Sequence, residues 1–123
     1  MSNLDAIINK VGFEIVEAIK NQDKKTKYKN SIDKVLGVLA NDGVYAYLVY
    51  CKANNIDDIF IEKLEKILNI INPIPKDNEN KKDYEKYFQE LSNKNLPNLL
   101  FLKELLEKAL IYARYHAKAM KDE

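Results

Sequence analysis

Asn41-Asp42-Gly43-Val44-Tyr45-Ala46-Tyr47-Leu48-Val49-Tyr50-Cys51 is the stretch on which the fold turns. From Val44 onward it is apolar on nearly every side, so periodicity alone admits a buried strand or a buried helix. Its neighbours decide. No alternating apolar and polar segment exists elsewhere in the chain to pair with a strand, and an unpaired strand would leave backbone donors and acceptors unsatisfied. A buried helix is therefore predicted, packed as a hairpin against the segment before it. That segment, residues 25–40, sets Tyr28, Ile32, Val35, Leu36 and Leu39 on one face. It should end at Asn41-Asp42-Gly43, where Gly43 takes the left-handed conformation of a C-cap.

Upstream, Leu4, Ile7, Ile8, Val11, Ile15, Ala18 and Ile19 recur at spacings of three and four, which predicts a helix over residues 3–21. Ser2 and Asp5 form a capping pair for it. Phe13 falls on the opposite side, either as an isolated surface apolar residue or as a contact with a partner. Downstream, a helix starting at Asn55 or Asp57 is predicted to bury Phe60, Leu64, Ile67, Leu68 and Ile71 and to stop at Pro73 and Pro75. Residues 72–82 read as an exposed internal loop. A short helix follows, with Tyr84, Tyr87, Phe88 and Leu91 on one side. The last helix, residues 97–121, would be about 37 Å long at 1.5 Å per residue. Its core stripe is Leu99, Leu102, Leu106, Leu110, Ala113, Ala117 and Met120, and its small residues invite close approach of another helix. The fold expected is all-α: one compact bundle of about five to six helices over residues 1–123.

A chain of 123 residues with 20 basic and 19 acidic side chains has no global field that would make it a tight polyanion binder. Any nucleic-acid contact must come from local patches. The single cysteine, Cys51, has no intramolecular disulfide partner and lies in an apolar run, as expected in a reducing compartment. The charge-free run Gly43–Cys51 is about half of what a bilayer requires, and no export signal opens the chain. The expectation is a cytoplasmic protein without a membrane partner.

Catalytic parts are scarce. One histidine and one cysteine, no HExxH, no CxxC and no Gly-rich phosphate loop leave little from which to build a metal or nucleophilic site. No enzyme activity, metal or cofactor is expected. His116 reads as a partly buried structural residue near Leu105, Ala109 and Tyr112, and it projects to a different side of its helix from Arg114. Asp57 and Asp58, like Glu104 and Glu107, fit capping and solvated faces.

Two short basic stripes remain. Between Lys20 and Lys34 six lysines face two aspartates, and Lys27, Ser31 and Lys34 share one side of the second helix. On the last helix Arg114, Lys118 and Lys121 stand at i, i+4 and i+7. Each stripe is either a solvated face or a set of phosphate contacts acting through counterion release, and neither is interleaved with aromatics suited to stacking bases.

Two blocks, Lys34–Lys52 and Lys103–Met120, together resemble the small helical subunit of type III-B CRISPR effector (Cmr) complexes. The likeness rests on the apolar hairpin turning at Asn41-Asp42-Gly43, on Ala109-Leu110-Ile111-Tyr112-Ala113-Arg114, and on Ala117-Lys118-Ala119-Met120. The resemblance implies a non-catalytic building block. Copies would stack head to tail beside the other effector subunits in an inner filament, contacting the backbones of guide RNA and target RNA. Arg114 matches the family's basic position; Lys27, Lys34, Lys118 and Lys121 follow from local charge and helical spacing. Phe13 or the Tyr84–Phe88 segment would supply apolar contacts between copies. The small subunit of the type III-A (Csm) complex, and a helical protein-interaction adaptor without a nucleic-acid role, stay open as alternatives.

Overall fold

Seven α-helices make up the computed structural model, which describes residues 3–22, 25–94 and 96–120. They are α1 (Asn3–Lys20), α2 (Lys25–Asp42), α3 (Val44–Ala53), α4 (Asp57–Phe60), α5 (Glu65–Ile71), α6 (Tyr84–Lys94) and α7 (Leu96–Ala119). The described residues form an all-α bundle, and buried side chains from every helix join one hydrophobic core. Ser2, the expected cap partner of Asp5, lies outside the described residues.

Helix α7 is the axis of the bundle. Its most extensive contact is with α1, and it also packs on α2, α5 and α6. Being covered from several directions, it buries Leu105 and Ala109 in addition to the expected Leu102, Leu106, Leu110, Ala113 and Ala117, while Leu99 and Met120 are only partly covered. The close approach expected from its small residues is made by α1 at Gly12. A Cβ at Gly12 would stand 2.8 Å from the Cβ of Tyr112 and 2.9 Å from the carbonyl oxygen of Ala109. Neither distance is tolerable between real atoms, so only glycine permits this helix spacing.

The α2–α3 hairpin forms as predicted, with one residue at the turn. Gly43 has φ 92° and ψ 179°, so its φ is positive as expected but its ψ is extended rather than helical. That region is open essentially to glycine alone. Its N–H donates to Leu39 O at 3.1 Å and its carbonyl accepts from Tyr47 N–H at 3.1 Å, so one residue closes one helix and opens the next. Helix α3 buries Val44, Tyr47, Leu48 and Cys51 but exposes Tyr45 and Val49, so it is covered on one side only. Its end is a Schellman motif: Asn55 has φ 56°, Asn55 N–H donates to Lys52 O, and Ile56 N–H reaches back to Cys51 O.

The single helix expected from residue 55 or 57 to 71 is in fact broken into α4, a 3₁₀ turn (Glu62–Leu64) and α5. The cause is local. Ile59, Phe60 and Ile61 are all buried, and three consecutive side chains span more of a helix circumference than one packed face provides. In addition, Tyr47 Oη donates to Phe60 O at 2.5 Å, while Leu64 N–H bonds to Ile61 O at 3.0 Å in the 3₁₀ pattern. The tyrosine thus satisfies a carbonyl that a continuous helix would have used.

The 72–82 loop is largely exposed and is held by its own hydrogen bonds. Asp77 Oδ1 accepts from the N–H groups of Glu79 and Lys81, both at 2.9 Å, and Asp83 N–H donates to Pro75 O at 2.8 Å. Lys82 Nζ, 2.5 Å from Glu65 Oε1, ties the loop to α5, and Tyr84 Oη donates to the other carboxylate oxygen. Burial tends to raise the Glu65 pKa, but the Lys82 and Tyr84 hydrogen bonds outweigh it and hold the carboxyl below its ordinary value.

Candidate nucleic-acid interface

Helix α2 presents Ile32, Val35 and Leu39 to the core, which sets the flank carrying Lys29 and Asp33 against α7. Lys103 Nζ donates to Ala40 O at 3.1 Å, placing a cation on an unpaired carbonyl of the last turn of α2, where the helix dipole favours it. Farther along α7, Arg114 Nη1 stands 3.5 Å from Asp33 Oδ1. Between these helices lies a groove of about 240 Å³, lined by Lys29, Asn30, Ile32 and Asp33 from α2 and by Arg114, Ala117 and Lys118 from α7. Ala117 is small enough to leave the floor open.

Three cations and one carboxylate therefore line a single concavity. Arg114 is the only arginine of the chain. Its Nε is shielded from solvent and has no hydrogen-bond partner among the described residues. The guanidinium carries five N–H donors in a fixed fork, and with Nε shielded it is the terminal amino groups, one of them 3.5 Å from Asp33 Oδ1, that remain for a ligand of the groove.

The structure sorts the five basic residues expected to contact RNA. Arg114 and Lys118 share the groove. Lys27 and Lys34 are exposed on α2 but do not line it. At roughly 100° per residue they project away from the Lys29–Asp33 flank. Lys27 instead sets its ammonium 5.8 Å from the centroid of the Tyr28 ring, and its carbonyl accepts from Ser31 Oγ at 2.8 Å. Lys121 lies outside the described residues. Lys29, which was not among the expected residues, does line the groove. Only its position one turn before Asp33, beside the buried Ile32, marks it in the sequence.

His116 points the other way from Arg114, as its spacing required. Its ring meets Phe13 edge-on, with centroids 5.5 Å apart and planes at 82°, and its Nε2 is 3.1 Å from Asn9 Oδ1. Phe13 is 48% exposed, whereas Tyr87 and Phe88 are buried in the chain's own core. Helix α6 has thus already used the apolar side expected to contact another copy. Burial pushes the Cys51 thiol up to about 12, so it is a neutral thiol at physiological pH. Among the described residues no three His, Cys, Asp or Glu side chains are grouped to hold a metal, and no helix is long and apolar enough to cross a membrane. No family model, curated protein or solved structure matches this chain.

Proposed function

We propose that this chain is a non-catalytic small subunit of a type III-B CRISPR RNA-guided effector complex, and that its α2/α7 groove contacts the backbone of guide or target RNA. The supporting observation is the convergence of Lys29, Arg114 and Lys118 on one groove. The resemblance of the Lys34–Lys52 and Lys103–Met120 blocks to that subunit family supplies the rest. The groove is a small one. Three phosphate contacts give nonspecific affinity of order 10⁻⁴ to 10⁻⁶ M at physiological salt, so the subunit adds to a larger RNA-binding surface rather than forming one alone.

The reading is tested by replacing Lys29, Arg114 and Lys118 with alanine in the assembled effector and measuring target-RNA retention as salt is raised. Each lost contact on a single strand removes about 0.7 from the slope of log K against log salt, so the triple variant should flatten it by about 2. Retention and slope equal to those of the parent complex would refute the groove. Association with protein partners and no RNA would favour the adaptor reading.

A further inference from the structure

We propose that the outer face of α7 is a stacking platform for unpaired bases, with Tyr115 and the neighbouring Tyr112 receiving bases of single-stranded RNA whose phosphates follow the groove of Lys29, Arg114 and Lys118. This rests on the reading of that groove as a backbone site and adds the form of RNA it takes.

Tyr115 is 57% exposed and Tyr112 38% exposed. Both stand on a helix clamped by α1 and α2, so the rings are presented by a rigid support. Together with Lys108 and Ile111, and with Asp5 of α1, they line a second groove of about 250 Å³, on the side of α7 away from α2. The two grooves are joined through consecutive residues: Arg114 lines the first, Tyr115 the second, and Lys118, one turn on, the first again. Aromatic surface and phosphate-binding charge therefore do alternate along this helix. The interleaving escapes a reading that treats each helical stripe separately, because Tyr115 is about 100° around the helix from Arg114.

The root of Tyr112 is fixed as well, since its Cβ packs where α1 comes closest, at Gly12. A ring held at its base loses little freedom on binding. The occupant follows from the chemistry. The aromatic groove carries one cation, Lys108, and one carboxylate, Asp5, so the attraction for phosphates comes from the adjoining groove of Lys29, Arg114 and Lys118, while the flat rings of Tyr112 and Tyr115 offer every base a stacking surface. Bases inside a duplex are already stacked on one another and cannot use the tyrosines, so the face discriminates for unpaired nucleotides.

The test compares a single-stranded RNA of roughly 15 nucleotides and mixed sequence, within the site sizes of such binders, with its blunt duplex. Binding of the full chain and its variants is followed by fluorescence anisotropy, with circular dichroism as a check on folding. Tyr115→Ala is expected to weaken single-strand binding at least about fivefold while leaving duplex affinity and the salt slope unchanged, and Tyr115→Phe to retain parental affinity. Lys118→Ala should weaken both RNAs and flatten the slope. If Tyr115→Ala changes nothing while Lys118→Ala weakens binding, the platform is overturned and the groove survives. Equal losses on duplex and single strand also overturn the platform. Failure of the parent chain to bind either RNA at concentrations up to about 10⁻⁴ M overturns both.

Discussion

Arg114 Nη1 and Asp33 Oδ1 face each other at 3.5 Å across the mouth of the α2/α7 groove, joining two helices with the chain's only arginine. The pair is exposed, with 36% of the Arg114 side chain and 71% of the Asp33 side chain open to solvent, so its contribution to stability is about 0–1 kcal/mol. Its larger effect is on ligand charge. On the reading proposed above, Asp33 competes with a phosphate for the guanidinium. Asp33→Asn should therefore tighten RNA binding and steepen its salt dependence while leaving the urea midpoint nearly unchanged. Weaker binding in a folded Asp33→Asn protein would mean that Asp33 orients Arg114 rather than opposing the ligand.

Gly12 and Gly37 should respond to alanine with opposite signs. Both lie inside helices, where alanine is favoured by roughly 1 kcal/mol. At Gly37 nothing lies within 4 Å of a new Cβ, so Gly37→Ala should stabilise by about that amount. At Gly12 the new atom would collide with Tyr112 Cβ and with the Ala109 carbonyl, so α1 and α7 must separate at an overpacking cost of about 1–3 kcal/mol. Chemical denaturation of the two variants checks this, and similar shifts for both would contradict the close approach.

Much of the architecture can be read from apolar spacing, but the reading fails where one residue serves two elements. The α2–α3 hairpin was legible because Gly43 separates a helical pattern from an apolar run that has no strand partner elsewhere in the chain. The break after Phe60 was not, since Phe60, Leu64, Ile67, Leu68 and Ile71 keep helical spacing straight through it, and nothing in that spacing shows Tyr47 reaching the Phe60 carbonyl. At the groove, Arg114 and Lys118 stood out by helical spacing on one helix, whereas Lys29 depends on the register between α2 and α7, which is set by tertiary packing. Tyr115 was hidden for a related reason: a platform flanked by charge needs residues on adjacent sides of one helix.

Tyr47 should prove structural through its hydroxyl alone. Tyr47→Phe keeps the ring in the core but leaves the carbonyl of Phe60 without its phenol donor, which costs about 1–3 kcal/mol. Thermal or urea unfolding would register that loss. No change would mean that the carbonyl recovers a backbone partner by relaxing α4 and α5 into one helix.

Acid should loosen the attachment of the 72–82 loop to α5. The Glu65 carboxyl is held below its ordinary value of 4.5 by Lys82 and Tyr84 despite the opposing effect of burial. Its contribution is therefore present above the unfolded-state pKa and is lost as pH falls through the lower folded-state value. Stability measured across that range should decline less steeply in Glu65→Gln than in the parent. Equal declines would exclude Glu65 as a contributor.

The most direct measurement is recovery of the tagged chain from its own cells under mild salt, with co-eluting proteins identified by mass and co-eluting RNA sequenced. The account predicts several copies of this chain with the subunits of an RNA-guided effector and a bound guide RNA, and release of target RNA at lower salt when Lys29, Arg114 and Lys118 are alanine. Recovery of the chain alone, or with partners that carry no RNA, would contradict it.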